Sequence, residues 1–164
     1  MSANKLQYVV SVDVFDNEKQ TLLEDQKLLS EAEKAMHNAY APYSQFKVGA
    51  AVLLENGKVI TGNNQENAAY PSGLCAERVA IMYAASQYPN VAIKTVAVIC
   101  ETKTNDPITP CGACRQVIAE YEQLSTQKIR MVLATPGGKV YVAQGIETFL
   151  PFMFGKKQLG TKKG

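Results

Sequence analysis

The sequence predicts an α/β domain in which one sheet carries helices packed on its faces. The length of 164 residues suits one domain, and 46% of the residues are apolar, which is enough for a core. Strand-like apolar segments are interleaved with helix-like segments along the chain, an order that favours one sheet covered by helices. The formal net charge is only +2, so the charge gives no reason to expect nucleic acid or an anionic membrane as partner.

The first part of the chain predicts a strand followed by a helix. Residues 8–15 alternate in polarity like a half-exposed strand. Thr21 and Glu24 have the spacing of a capping box. The apolar residues that follow, at steps of three and four, predict an amphipathic helix that ends before Pro42.

A hairpin and a series of alternating elements are predicted for the rest of the chain. Asn56-Gly57 separates the strand-like segments 47–54 and 58–64, and it predicts a tight turn with positive φ at both residues. Residues 75–86 are apolar on almost every side, which predicts a buried helix. The remaining predicted elements are a strand at 93–100, a helix that Thr109 caps with Pro110 in its first turn, strands at 129–134 and 139–143, and a short helix at 146–150.

The cysteine content favours a reducing compartment. The chain has four cysteines, far fewer than a disulfide scaffold. The N-terminus has no basic region followed by an apolar block of signal-peptide length, and the longest apolar run, 48–54, is much shorter than a membrane span. We therefore expect a cytoplasmic protein with reduced thiols, in which a Cys-x-x-Cys pair indicates metal binding or redox chemistry.

Three cysteines stand at two predicted helix starts. Cys75 opens one helix, and Cys111 and Cys114 have the spacing that places them on one face of the next. Free backbone N–H groups and the helix dipole favour thiolate there, which is the form that binds zinc. Three ligands leave one tetrahedral position open, as in catalytic zinc sites. No fourth ligand is expected, because His37 is predicted on a helix surface and Cys100 in the core.

Glu77 is the candidate proton carrier beside this metal site. It follows Cys75 by two residues, and water at an open zinc position must lose a proton to become a nucleophile. Two other interpretations stay open from the residues alone. Glu77 could serve only to stabilise the helix dipole, and Cys111 with Cys114 could form a redox dithiol, although that leaves Cys75 and Glu77 without a role.

Five short motifs occur in the order typical of a known enzyme family. They are residues 41–51, residues 64–70, Cys75-Ala76-Glu77-Arg78, Pro110-Cys111-Gly112-Ala113-Cys114-Arg115-Gln116 and Leu150-Pro151-Phe152-Met153-Phe154. Together they resemble the small homotetrameric cytidine deaminases that bind zinc through three cysteines. The resemblance implies one Zn²⁺ per chain and a three-layer αβα fold with a mixed central sheet of about five strands.

The resemblance also implies a division of the chain. It extends over residues 39–154, approximately, within a single zinc deaminase domain at 21–155. Residues 1–20 lie outside it as an N-terminal extension that is expected to add a strand to the sheet. Residues 156–164 form a Lys-rich tail that is expected to be solvated and frayed.

Substrate contacts are implied for residues outside the cysteine cluster. Phe46 would pack against the pyrimidine ring, although an aromatic at a strand start is otherwise an ordinary core residue. Asn64 and Glu66 would bind the ribose hydroxyls, although both would otherwise belong to an ordinary polar loop. The carbonyl of Ala76, together with a backbone N–H of a zinc-ligand cysteine, would hold the edge of the base.

Three further residues are implied to support the site from nearby. Phe154, ahead of Phe152, would reach the site of a neighbouring chain and cover the base. Arg78 and Gln116 would contact the zinc ligands rather than the metal, and a guanidinium donating to a zinc-bound sulfur would withdraw negative charge from it. The active enzyme is therefore expected to be a homotetramer with sites shared between chains.

The implied reaction is hydrolytic deamination of cytidine and deoxycytidine to uridine and deoxyuridine, with release of ammonia, in pyrimidine salvage. No nucleic acid or membrane partner is expected. One alternative is a deaminase of a related aminopyrimidine nucleoside, such as a nucleoside antibiotic. Another is a non-catalytic binding module stabilised by zinc, which would need a closed fourth ligand position.

Overall fold

A mixed sheet forms the middle layer of the structure. The computed structural model describes residues 3–125 and 127–160. Within these residues the sheet has six strands: β1 (Asp13–Phe15), β2 (Val48–Leu54), β3 (Val59–Asn63), β4 (Ile93–Cys100), β5 (Arg130–Ala134) and β6 (Val140–Gln144). Their spatial order is β1-β6-β5-β4-β2-β3. Strands β4 and β5 are parallel, and the other neighbouring pairs are antiparallel.

Helices cover both faces of the sheet. They are α1 (Leu23–Met36), α2 (Ala76–Gln87) and α3 (Gly112–Leu124). Helix α1 buries Leu29 in one core, whereas α2 and α3 bury Ile81 and Ile118 in the other. The consecutive residues Val96 and Ala97 of β4 belong to opposite cores, as the alternation of a strand requires. This arrangement confirms the predicted three layers, with five central strands and one added by the N-terminal segment.

The first turn of α2 lies directly on β3 because β3 has a glycine where the two cross. A Cβ on Gly62 would come within 2.5 Å of the Ala80 nitrogen and 2.7 Å of the Ala76 carbonyl oxygen. Side chains essentially never approach so closely, so only glycine lets the helix pack at this depth. The same crossing fixes Cys75, which is the N-cap residue of α2.

The predicted capping box of the first helix is wrong. Helix α1 begins behind Leu22, whose side chain makes no capping hydrogen bond. The Thr21 hydroxyl instead donates to the Glu18 carbonyl oxygen at 2.6 Å, at the end of a short 3₁₀ helix. Glu24, the other predicted member of the box, pairs with Lys94 at 2.9 Å.

The start of α3 also differs from the prediction. Cys111 is its N-cap residue, so Thr109 is not the cap and Pro110 lies outside the helix. The physical reason is a competing partner, since the Thr109 hydroxyl accepts a hydrogen bond from Arg115 at 2.9 Å. The consequence is that a cysteine, and not a threonine, occupies the position where the backbone N–H groups of the helix are free.

Two predicted strand features are only partly correct. The hairpin forms from β2 and β3, but of its two turn residues only Gly57 has positive φ, at 80°. The Gly57 N–H donates to Leu54 at 2.9 Å, so an ordinary turn followed by a left-handed glycine replaces the predicted type. The N-terminal strand covers only β1, and residues 8–12 lie outside it.

The structure departs in part from the predictions for helix α2, for the short helix at 146–150 and for the Lys-rich tail. Helix α2 buries Ala80, Ile81 and Ala84 but exposes Met82 and Tyr83, so it is not buried on every side within one chain. The predicted helix at 146–150 is a 3₁₀ helix over Ile146–Thr148. In the Lys-rich tail, Lys156–Leu159 form another 3₁₀ helix, and residues 161–164 lie outside the described residues. Among the described residues, no helix has both the length and the apolarity needed to cross a membrane.

Candidate metal centre and adjoining cavity

The three cysteines predicted as metal ligands lie together where α2 and α3 begin. The sulfur atoms of Cys75 and Cys111 are 3.7 Å apart, and those of Cys111 and Cys114 are 3.5 Å apart. Three sulfur ligands about 2.3 Å from a tetrahedral zinc ion lie about 3.8 Å from one another. The cluster therefore fits zinc in donor type and in spacing.

His37 and Cys100, which the sequence does not predict to bind the metal, both lie away from the cluster. His37 is exposed at the C-terminal end of α1. Cys100 is fully buried at the end of β4, and its thiol donates to the Thr102 carbonyl oxygen at 3.2 Å. Within the described part of the chain, the only cluster able to hold a metal consists of the three predicted cysteines.

The surroundings of the cluster favour negative charge on the sulfur of Cys75. The pKa of Cys75 is lowered to about 5, because Cys114 donates a hydrogen bond to it and because Arg78 is close by. Arg78 Nη2 lies 3.7 Å from Cys75 Sγ and 3.2 Å from the Gly73 carbonyl oxygen. The pKa of Cys114 is raised, first by its hydrogen bond to Cys75 and then by burial. The contact predicted for Arg78 is therefore present in the structure.

Glu77 is a buried carboxyl group beside the cluster. Only 4% of the residue is exposed, and it stands in the first turn of α2. Burial raises the pKa of its carboxyl group, and the charge of Cys75 raises it further. A raised pKa makes this carboxyl group a better proton acceptor, which suits a group that takes up a proton and passes it on.

A cavity of about 860 Å³ opens onto the cluster. The predicted substrate residues Phe46, Asn64, Glu66 and Ala76 all line it together with Glu77. Phe154 is not among the described residues that line it. Phe154 is instead 56% exposed and lies near the C-terminal end of the described residues.

Asn64 and Glu66 hold the loop that carries Phe46, a contribution that the sequence does not indicate. Asn64 Oδ1 accepts from the Val48 N–H at 2.8 Å, and Asn64 Nδ2 donates to the Phe46 carbonyl oxygen at 2.9 Å. The Glu66 carboxylate accepts from the backbone N–H and the hydroxyl of Ser44. The hydroxyl contact lowers the pKa of Glu66, so this carboxyl remains ionised at neutral pH.

Two other contacts near the site were not expected. Tyr43 and Tyr70 meet edge to face at the cavity, with ring centroids 6.1 Å apart. Gln116 Nε2 donates to the Phe154 carbonyl oxygen at 3.0 Å, so the contact found for Gln116 is with the C-terminal segment. The expectation that Gln116 touches a zinc ligand stays a prediction.

Comparison with known proteins agrees with this geometry. A family model described as "Cytidine and deoxycytidylate deaminase zinc-binding region" matches residues 23–130, a range that contains the three cysteines and Glu77. The chain belongs to this deaminase family. The family's zinc-binding region, together with the three-cysteine cluster, confirms the prediction of one Zn²⁺ per chain.

Relatives within the deaminase family cover most of the fold. The cytidine deaminase of Sporosarcina psychrophila is 49% identical over 96 residues, which are 58% of this chain and 68% of that protein. That of Halalkalibacterium halodurans is 48% identical over 98 residues, 60% of this chain and 72% of that protein. The crystal structure of cytidine deaminase from Burkholderia pseudomallei has a TM-score of 0.70 at 41% identity, covering 78% of this chain and 97% of that chain. The predicted family and fold are therefore confirmed.

Proposed function

We propose that the protein hydrolyses the exocyclic amino group of cytidine and deoxycytidine, giving uridine or deoxyuridine and ammonia. The observation that carries this proposal is the position of Glu77, a buried carboxyl beside three clustered thiols at a cavity of about 860 Å³. The two relatives from Sporosarcina psychrophila and Halalkalibacterium halodurans are both named cytidine deaminase, which favours cytidine over a nucleoside antibiotic as substrate. Such a reaction belongs to pyrimidine salvage.

Glu77 moves the protons in the proposed reaction. Cys75, Cys111 and Cys114 would hold the zinc ion, whose Lewis acidity lets a water molecule lose a proton near neutral pH. Glu77 accepts that proton and passes it to ring N3, which makes C4 of the base more electrophilic. After oxygen adds to C4, Glu77 takes the proton of the new C4 hydroxyl and delivers it to the amino group, so that the C4–N bond breaks, ammonia leaves and the C4 carbonyl of the product forms. One water is consumed, and Glu77 ends in its starting state.

Arg78 supports this chemistry without touching the substrate. Three thiolates around a divalent ion leave a net negative charge, which makes the loss of a proton from water harder. Arg78 Nη2 is 3.7 Å from Cys75 Sγ, and donation to that sulfur withdraws part of the charge.

The nucleoside would lie along the cavity wall formed by Phe46. The ring of Phe46 packs on the pyrimidine, the backbone of Ala76 lies at the edge of the base, and Asn64 and Glu66 bind the ribose hydroxyls. Glu66 is ionised, so it would repel a phosphate on the same sugar. We therefore expect nucleosides to be better substrates than nucleotides.

The proposed enzyme is a homotetramer whose sites are shared between chains. Phe154 is exposed and Gln116 holds its carbonyl, which suits an aromatic that covers the base in a neighbouring chain. Met82 and Tyr83 are 44% and 54% exposed on α2, and a subunit contact would cover them. The alternative is that Phe154 and Phe152 stay on their own chain.

Subunit mixing tests this assembly. Chains with Glu77→Gln and chains with Phe154→Ala are each expected to be inactive, and mixed oligomers should regain part of the activity. Absence of recovery in verified mixed oligomers, or a fully active monomer in light scattering, would refute shared sites.

We also propose that the protein works in the cytoplasm, without nucleic acid or membrane partners. The four cysteines, all free, suit a reducing compartment. The chain has 17 basic and 15 acidic residues, so it has no large excess of positive charge with which to bind a nucleic acid or an anionic membrane.

The experiment that tests the function is an ammonia-release assay combined with zinc analysis. Purified protein is assayed on cytidine, deoxycytidine, CMP and cytosine, with metal-stripped protein as the control. We expect about one zinc ion per chain and turnover of the two nucleosides well above that of CMP and cytosine. A zinc-loaded protein that releases no ammonia from either nucleoside would contradict the proposal and favour the binding-module alternative.

A further inference from the structure

Arg115 uses all three nitrogens of its guanidinium group as donors. Nε donates to the Pro110 carbonyl oxygen at 2.6 Å, Nη1 to the Phe149 carbonyl oxygen at 2.8 Å and Nη2 to Thr109 Oγ1 at 2.9 Å. The residue is half-buried in the first turn of α3, directly after Cys114. Its planar fork has the geometry to hold three acceptors in a fixed mutual position, which the single ammonium of a lysine cannot reproduce.

Two of the three acceptors belong to Thr109 and Pro110, the residues directly before Cys111 in the sequence. Thr109 lines the cavity, and Pro110 is buried next to it. The Pro110 carbonyl belongs to the same peptide unit as the N–H of Cys111, so the contact from Arg115 orients that N–H as well as the cysteine that follows. Arg115 therefore helps to position Thr109 and Cys111, which both line the cavity, through contacts to the residues before Cys111.

The third acceptor lies at the start of the C-terminal segment, residues 149–154. Gln116, the next residue of α3, donates to the Phe154 carbonyl oxygen at the other end of that segment. Between these two contacts, Phe152 has a φ of 57°, a region that non-glycine residues rarely adopt. Such a conformation needs outside contacts to hold it: Arg115 and Gln116 hold the chain on either side of Phe152, and the Tyr8 ring lies 5.7 Å from the ring of Phe152, centroid to centroid.

We propose that Arg115 is a positioning residue. It holds Thr109 and Pro110, which directly precede Cys111, in a fixed position relative to the C-terminal segment. This inference rests on the proposed function in one respect, namely that the C-terminal segment carries the aromatic cover of a nucleoside site. Without the fork, the segment and Phe154 lose their fixed relation to the cavity floor. Substrate binding then weakens, while the proton transfers of Glu77 continue.

The test compares two arginine-to-lysine variants. Arg115→Lys keeps the charge but removes the fork, and Arg130→Lys is the matched control. Arg130 lies on β5, where it pairs with Asp25 of α1, so the control weakens the fold at a site away from the cavity. Hydrogen exchange by mass spectrometry is read on a peptide covering 149–154 and on a peptide from α1.

In Arg115→Lys the 149–154 peptide should exchange about tenfold faster, because charge-assisted hydrogen bonds that held it are lost. The α1 peptide should be unchanged, and the protein should retain its full zinc content. In the kinetic assay, KM for cytidine should rise about tenfold while kcat changes by less than about threefold. Arg130→Lys should instead accelerate exchange in α1 and leave KM unchanged.

Thr109→Val serves as a second variant, since it removes one acceptor and leaves the arginine in place. Thr109→Val should also make the 149–154 peptide exchange faster, but by less than Arg115→Lys does. If Arg115→Lys fails to fold, the exchange of Thr109→Val tests the role of Arg115. Wild-type exchange at 149–154 in a folded Arg115→Lys protein, or equal changes in α1 and in 149–154, would overturn the inference. If the wild type deaminates no nucleoside, the proposed function fails while the exchange result still decides the role of Arg115.

Discussion

The crossing of α2 over Gly62 makes a sharp prediction about both stability and zinc binding. In Gly62→Ala the added Cβ would meet the Ala80 nitrogen at 2.5 Å and the Ala76 carbonyl oxygen at 2.7 Å. Both atoms belong to the backbone of α2, so no side-chain rotation can relieve the clash. The helix has to move away from the sheet instead.

The size of that movement follows from the two distances. Ordinary carbon contacts begin near 3.4 Å, so the start of α2 must retreat by about 0.7–0.9 Å. Overpacking of this kind costs about 1–3 kcal/mol of folding free energy. Cys75 caps the displaced helix, and metal sites tolerate deviations of only about 0.2 Å in ligand distances, so zinc affinity should fall as well.

Urea unfolding and zinc competition with a chelator measure the two effects, and Gly112→Ala is the matched control. Gly112 lies between two cysteines of the cluster, yet a Cβ there meets nothing within 4 Å. That variant should keep the zinc affinity and change stability by no more than about 1 kcal/mol, in the stabilising direction. The reasoning is refuted if Gly62→Ala unfolds and binds zinc like the wild type, or if both variants lose zinc equally.

Three further outcomes are expected. Arg130→Met should lower the free energy of unfolding by about 3 kcal/mol in a urea titration, because Asp25 is only 1% exposed and would lose its bidentate partner; a double variant with Asp25→Leu should recover most of that loss. Glu66→Gln should lower the preference for cytidine over CMP in kcat/KM, whereas Ser44→Ala, which keeps the carboxylate, should not; an unchanged ratio in Glu66→Gln would show that its charge does not exclude phosphate. Chelation of zinc should abolish deamination and lower stability in the same preparation, and added Zn²⁺ should restore both; activity that survives complete chelation would contradict a metal-dependent reaction.

The elements that the sequence predicted well are those whose signal is local. The strand at 93–100 has the predicted bounds because six of its eight residues are apolar and both faces of β4 are buried. Spacing within a helix start places Cys111 beside Cys114 and Cys75 near Glu77, whereas the fold brings Cys75 to Cys111, 36 residues away. The local spacing therefore predicts each half of the site, and the fold joins the halves.

The features that the sequence missed depend on partners far along the chain. Arg115 and Phe149 are 34 residues apart, and Tyr43 and Glu66 are 23 apart. No spacing rule connects them, since the fold alone brings each donor to its acceptor. The N-terminal strand was predicted too long for the same reason, because β6 pairs with only three of its residues.

The central claim is that Glu77 moves protons beside a three-thiol zinc site without binding the metal. It is tested most directly by measuring zinc content and cytidine turnover together in Glu77→Gln. The account predicts that the variant keeps one zinc ion per chain and loses kcat by about 10²–10⁴-fold or more, since one group serves several proton transfers. Loss of the zinc, or a kcat equal to that of the wild type, would contradict it.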